Sequence, residues 1–382
     1  MSVTEQLIPA SFEQAAAALA AAAAERRPVR IVGGGTKQGW GNATGVPGLE
    51  LRTSELDDIV EHNEGDLTAI LEAGVPLAQA QRRFAAAGQM LAIDPFLGDA
   101  HEATIGGIVA TADSGPHRHR YGAPRDLILG ITVALSDGTI ARAGGKVIKN
   151  VAGYDLGKLF CGSLGTLGLI LAVSVRLHPL PARTATALGV SGDPDALAAA
   201  VRELAAAPLE LEALDVAWRA GRGGLLARSG GVQASARAVR VAAIMRDAGL
   251  TSTEVAEDDA ALWARQRAGQ RSTASVLVRV AARPTALPAL LRAVQAADGT
   301  LVGRAALGHS YVELDPAAVE AFERRLPSGA FVTLLDAPTP LKETIEGWSP
   351  PPSEPALELM RRIKARFDPA DVCNPGVFVG GI

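Results

Sequence analysis

Apolar and polar positions change rhythm several times along the chain, and each change predicts an element boundary. An alanine-dominated run follows Ser11-Phe12-Glu13-Gln14, which has the spacing of a capping box; it predicts a helix from Phe12 to Arg27, stopped by Pro28. "VRIV" (Val29–Val32) is a short apolar strand that enters three consecutive glycines. "LTAILEAGVPLAQAQRRFAAAGQMLAI" reads strand, turn, helix, strand, with apolar residues at helical spacing in "LAQAQRRFAAAG" and Gly88 as the helix stop. "DLILGITVALSDGTIARAGG" predicts a hairpin about the Asp137-Gly138 turn. "GSLGTLGLILAVSVRL" is a second glycine loop running into a strand, and Pro179 and Pro181 punctuate the chain after it.

Beyond that point the texture differs. "ATALGVSG", "LELEALDVAW", "SVLVRVAA", "TLVGRAALG" and "HSYVELD" read as strands; "DPDALAAAVRELAAAP" and "RPTALPALLRAVQAADG" read as helices. The repetition predicts a compact α+β layer, an antiparallel sheet with helices on one face. "WSPPPSEP" is a Pro-rich linker, "ALELMRRIKARFDP" an amphipathic helix and "ADVCNPGVFVGGI" a tail. The expected domains are 1–182, 183–345 and 346–382.

Composition narrows the function classes. Of 382 residues, 48% are hydrophobic and 20% charged, a normal globular balance. A formal net charge of −4 with no long Lys/Arg run argues against nucleic-acid binding. The two cysteines, Cys161 and Cys373, lack metal or disulfide spacing and fit a reducing compartment. The N-terminus lacks the pattern of a secretory signal, and no apolar run is long enough to span a bilayer. The expected location is cytoplasmic, with peripheral placement at the inner membrane only through partners.

The familiar glycine motifs fail. Gly33 and Gly35 are followed by Gln38 where a Rossmann fingerprint needs its third glycine, with Gly39 one residue late. Gly145-Lys146-Val147 and Gly157-Lys158-Leu159 lack the Ser/Thr of a P-loop, and "CGSLG" has Cys161 where a hydrolase elbow needs glycine. His117 and His119 near Asp113 read as a solvated polar loop rather than a metal site. Three glycine-bearing loops remain, Gly33–Gly39, Thr104–Gly122 and Gly162–Gly168, each beside a strand. Backbone N–H groups in such loops form concave anion sites, and glycine permits close approach. Together they fit a long ligand with a pyrophosphate; unrelated turns in an Ala/Gly-rich chain are the alternative.

Three blocks, "IVGGGTK", "ATIGGIVATADSGPHRHRYGAPRDLILGITVALSDG" and "KVIKNVAGYDLGKLFCGSLGTLGLILAVSVRLHPLP", together resemble the FAD-binding domain of the vanillyl-alcohol oxidase, or p-cresol methylhydroxylase (PCMH), family. With "FDPADVCNPG", the last block is similar to the D-2-hydroxyacid dehydrogenase branch. The resemblance implies a two-subdomain PCMH-type domain, a small antiparallel α+β cap, and a C-terminal helix and tail returning to the flavin. It implies that Gly33, Gly34, Gly35 and Thr36 cradle the FAD pyrophosphate, with Lys37 closing the loop. Thr104, Ile105, Gly106 and Gly107 would line the cofactor's second side, continued by Ala110, Ser114, Gly115, Tyr121, Gly122 and Asp126. Gly165, Thr166, Gly168 and Ile170 would surround the adenine and ribitol end, and Asn374 would meet the flavin ring.

The chain also departs from the family pattern. Thr36 and Lys37 stand where several members carry the histidine that attaches FAD, so the expected FAD is noncovalent. Catalytic members carry an H-x-G-D-G-N stretch and metal-binding His and Glu in the cap; "GRAALGHSYVEL" keeps only His309, and no metal is expected. Arg279, amid an apolar strand, reads either as an outward-facing Arg or as a clamp for a substrate carboxylate. Arg279 and His309 are the candidate catalytic residues; a lone His at a strand start such as His309 is more often a surface or packing residue than a base. The resemblance implies an FAD-binding subunit of a glycolate oxidase complex, partnered by a homologous FAD-binding subunit and an iron–sulfur subunit. A self-sufficient D-2-hydroxyacid dehydrogenase and a non-catalytic FAD-binding scaffold remain the alternatives.

Overall fold

The computed structural model describes residues 4–147, 153–271 and 275–382. Residues 148–152 of the "KVIKNVAGYDLGKLF" block lie outside the described residues. The chain divides into two compact units: Met1–Ser114, Gly122–Leu180 and Pro351–Ile382 form one, Gly115–Tyr121 and Pro181–Pro350 the other.

In the first unit, Glu5–Leu7, Leu49–Arg52 and Val29–Val32 form a parallel three-stranded sheet in that order. The Phe12–Ala24 helix packs on this unit's core through Ala15, Ala16, Leu19 and Ala22. Its start follows the capping chemistry: Ser11 Oγ accepts from Gln14 N at 3.2 Å, and Gln14 Oε1 accepts from Ala10 N at 2.9 Å. The helix ends three residues before the expected Arg27. Glu25 caps it, and Arg26 turns to φ 51°, a left-handed conformation that stops the helix before Pro28 is reached.

A second, antiparallel sheet runs in the order Ile59–Asn63, Thr68–Glu72, Leu169–Arg176, Ile128–Ala134, Ile140–Gly144. Its last two strands are the expected hairpin. Gly138 turns at φ 84°, and Asp137 Oδ1 accepts from Thr139 N at 2.9 Å. The Leu77–Ala86 helix ends just before Gly88, at φ 67°. The central Leu169–Arg176 strand reads as a continuous apolar run because both its faces are covered.

The second unit is built on a nine-stranded antiparallel sheet. Alternation along its strands separates two faces. Leu214, Val216, Trp218, Leu225, Ala227, Val278, Val280 and Val312 join the main core with the helices Pro194–Ala206, Ala234–Asp247 and Leu287–Ala296. The other face carries Asp215, Arg304, Arg279, His309 and Tyr311, as the registers Asp215↔Arg304↔His309 and Arg279↔Tyr311 require. A further helix, Ala260–Ala268, lies on this polar face and seats Trp263 against Ala213 and Leu226. Helices therefore lie on both faces of the sheet, not on one as the sequence pattern suggests. Among the described residues no helix is long and apolar enough to cross a membrane.

Candidate functional site

The Val29–Val32 strand delivers the chain into Gly33-Gly34-Gly35 at the wall of a cleft of about 220 Å³. A Cβ on Gly33 would lie 2.2 Å from Thr104 Oγ1, and one on Gly34 would lie 1.8 Å from the Glu102 carbonyl oxygen. The first loop thus abuts the Thr104 side chain and the Glu102 backbone at the start of the second, an approach that only glycine permits. Gly35 differs: it has φ 75°, and a Cβ there would meet nothing within 4 Å, so it borders open cleft. Lys37 Nζ bonds Thr36 Oγ1 at 3.2 Å and pairs with Asp113 Oδ2 at 3.4 Å. Both charges of that pair are buried, so the pair ties the first loop to the second in a low-dielectric setting.

Thr104 caps the short Ile105–Thr111 helix, its Oγ1 accepting from Gly107 N at 3.4 Å. Gly106 N donates to Ala73 O at 2.8 Å, and Gly106 packs so closely on Ala73 that a Cβ would lie 2.7 Å from Ala73 Cβ. The third loop hangs on this helix: Gly162 N donates to Val109 O at 3.0 Å and Leu164 N to Ala110 O at 2.8 Å. Asn374 then binds two walls at once. Its Oδ1 accepts from Ile31 N at 2.9 Å, and its Nδ2 donates to Leu164 O at 2.7 Å.

The cleft gathers Gly33, Gly34, Gly35, Thr36, Lys37, Thr104, Gly106, Gly107, Ala110, Gly165, Gly168, Ile170 and Asn374 from segments far apart in sequence. Other expected residues lie elsewhere. Ile105 and Ser114 are buried beside the cleft rather than in its lining. Thr166 turns its hydroxyl to Ser163 O at 2.8 Å. Asp126 Oδ2 accepts from Ala123 N at 2.8 Å, close against Gly122. Gly115 and Tyr121 belong to the second unit, where the Tyr121 hydroxyl donates to Glu212 Oε2 at 2.6 Å. Burial and that bond raise the Tyr121 phenol and keep it protonated. Trp40, Thr53 and Val377 line the cleft unannounced by any motif. The tryptophan six residues after Gly34 was the one available signal.

A cleft with glycine walls and open space at Gly35 fits a pyrophosphate-bearing cofactor such as FAD. The first loop carries no histidine for covalent attachment.

The second unit holds the other candidates. Arg279 is half-buried, and its Nη2 donates to Thr333 Oγ1 at 3.4 Å. His309 packs edge-on against Tyr311 with ring centroids 5.3 Å apart. Burial, then Arg279, Arg118 and Arg304, hold the imidazole well below its usual titration range, so it is neutral at neutral pH. Its Nδ1 has no hydrogen-bond partner among the described residues. Arg304 is fully buried and committed to Asp215 at 3.3 Å. Gln270 turns its amide oxygen to Arg304, accepting from Nη1 at 2.9 Å and Nη2 at 2.6 Å.

Residues 6–144 match the family described as FAD binding domain. The chain is 34% identical over 212 residues to glycolate oxidase subunit GlcD of Bacillus subtilis (strain 168), covering 55% of this chain and 45% of that protein. It is 36% identical over 161 residues to glycolate oxidase subunit GlcE of Escherichia coli (strain K12), covering 42% of this chain and 45% of that protein. It therefore matches less than half the length of each of these two curated relatives. An alkyldihydroxyacetonephosphate synthase structure aligns with a TM-score of 0.68 over 97% of this chain and 76% of its own; at 14% identity that likeness shows the fold.

Proposed function

From the FAD-binding domain at residues 6–144, we propose that this chain is an FAD-dependent oxidoreductase acting on the CH–OH group of 2-hydroxy acids, glycolate first among them. The observation that carries this reading is the cleft of three glycine loops, in a chain similar to two glycolate oxidase subunits. Gly33, Gly34, Gly35 and Thr36 would hold the pyrophosphate of a noncovalent FAD. Gly106, Gly107 and Ala110 would line its second side, Gly165, Gly168 and Ile170 its adenine and ribitol portion, and Asn374 its ring.

Oxidation at the α-carbon of a hydroxy acid needs a cation for the carboxylate, a base for the hydroxyl proton and a hydride acceptor. Bound FAD supplies the acceptor. Arg279 offers a planar guanidinium suited to a carboxylate, steadied by Thr333. His309 offers a neutral imidazole as the candidate base for the hydroxyl proton. The same arginines that keep the imidazole neutral would disfavour the imidazolium it then becomes, so the proton must pass on promptly.

The chain works in this reading as a complex subunit. Two of its relatives are named as glycolate oxidase subunits, and Cys161 and Cys373 lack cluster spacing, so electrons would leave through a partner chain or a diffusible acceptor. The test has two parts. Acid precipitation should leave flavin in the supernatant; flavin in the pellet would overturn noncovalent binding. Anaerobic glycolate or D-lactate should bleach the visible flavin absorbance, and an unchanged spectrum in the chain co-purified with its partner subunits would overturn the activity.

A further inference from the structure

The Glu354–Phe367 helix carries a lysine, Lys364, buried to 6% exposure. Its ammonium has three donors and finds three acceptors: Thr166 O at 2.9 Å, Asp368 Oδ2 at 2.7 Å and Cys373 O at 3.0 Å. Asp371 Oδ1 lies 3.2 Å away. Asp368 Oδ2 also accepts from Cys373 N at 2.8 Å, so the carboxylate and the ammonium grip both polar groups of one residue. A buried charge costs desolvation that an apolar residue of similar volume would avoid. What the lysine supplies, and a hydrocarbon cannot, is a joint between two carbonyls on separate segments.

Those segments are the walls of the cofactor cleft. Thr166 follows Gly165 and Cys373 precedes Asn374, and both Gly165 and Asn374 line the cleft. They are also in contact, since a Cβ on Gly165 would lie 2.7 Å from Asn374 Nδ2. The tail is tied on the other side to the Val29–Val32 strand: Val29 N donates to Val372 O at 2.8 Å, and Asn374 N to Val29 O at 2.9 Å.

We propose that Lys364 is a positioning residue for the cofactor. It touches no part of the cleft itself, and fixes the Thr166 and Cys373 carbonyls so that Gly165 and Asn374 keep the spacing that retains FAD. Loss of Lys364 releases the third loop and the tail together. This inference rests on the FAD site and not on the choice of substrate.

The experiment is a double-mutant cycle read as FAD dissociation constant on the full-length apoprotein, using Lys364→Met, Asn374→Ala and the pair. Each single variant should weaken FAD binding by about tenfold or more. The double variant should be no weaker than the poorer single, because both act through the same wall. Limited proteolysis should cut the tail in K364M apoprotein and spare it in the parent. Wild-type affinity in K364M, or a double variant whose loss is the product of the two, would overturn the proposal. If K364M does not fold, Lys364→Gln, whose shorter neutral side chain cannot bridge both carbonyls, takes its place in the same cycle under the same criteria.

Discussion

His309 illustrates how one residue's surroundings set its chemistry. Enclosure and the guanidiniums of Arg279, Arg118 and Arg304 press against its protonation, while Tyr311 packs on the ring. An imidazole depressed in this way favours the folded state above its ordinary pKa, about 6.5. Below that value the unfolded chain binds the extra proton and the folded chain resists it. Stability therefore falls as pH drops from about 6.5 toward the folded-state pKa, and levels off below it. His119, lowered by burial, adds to the same slope. Urea midpoints measured down through this range should decline less steeply in His309→Gln than in the parent; parallel curves would show that the ring is not enclosed as described. If His309 is the base, the same substitution should lower glycolate-dependent flavin reduction by roughly a hundredfold or more. At this scale the sequence could point to His309 and Arg279 only as odd residues in apolar strands. Their grouping with Arg304 and Tyr311 comes from strand register, which no local pattern encodes.

At the scale of elements, the loops explain more than the helices do. Gly34 has no room for a Cβ because the Glu102 carbonyl oxygen occupies its place. Gly34→Val should therefore push the first two loops apart and leave purified protein with little bound FAD, measured as flavin per chain; near-stoichiometric flavin would contradict the cleft assignment. The helix cap gives a contrasting case. Ser11→Ala removes the acceptor for Gln14 N, and should cost about 1 kcal/mol in denaturant midpoints without changing FAD content. Capping chemistry, the Asp137-Gly138 hairpin and the Gly88 stop were legible because each is decided within a few residues. The end of the first helix was not, because Arg26 takes a left-handed turn that nothing in its side chain announces. The helix Ala260–Ala268 lacked a signal for its place as well. Trp263 donates its indole N–H to Thr186 Oγ1 at 2.8 Å on a strand far back in the chain.

Across the whole molecule, residues that are neighbours in sequence are divided between the two units. Gly115–Tyr121 interrupts the first unit and belongs to the second. There Arg120 Nη1 donates to Glu210 O at 2.8 Å, and Tyr121 satisfies the buried Glu212 carboxylate. Residues 181–350 produced alone would leave Glu212 without that hydroxyl. They should be less stable to urea than 181–350 supplied with a 115–121 peptide or graft; equal stability would show the segment is dispensable. The glycine loops were legible one by one. That they form a single cleft was not, because Ile31 and Asn374, which share a hydrogen bond, lie 343 positions apart. This separation has a consequence in time. A ribosome adding about 5 to 20 residues per second needs roughly 20 to 70 seconds to travel from Ile31 to Asn374. Through that interval the nascent chain has its first glycine loop but lacks the residue that joins it to the third, so the complete cleft forms only after nearly all of this sequence has been translated.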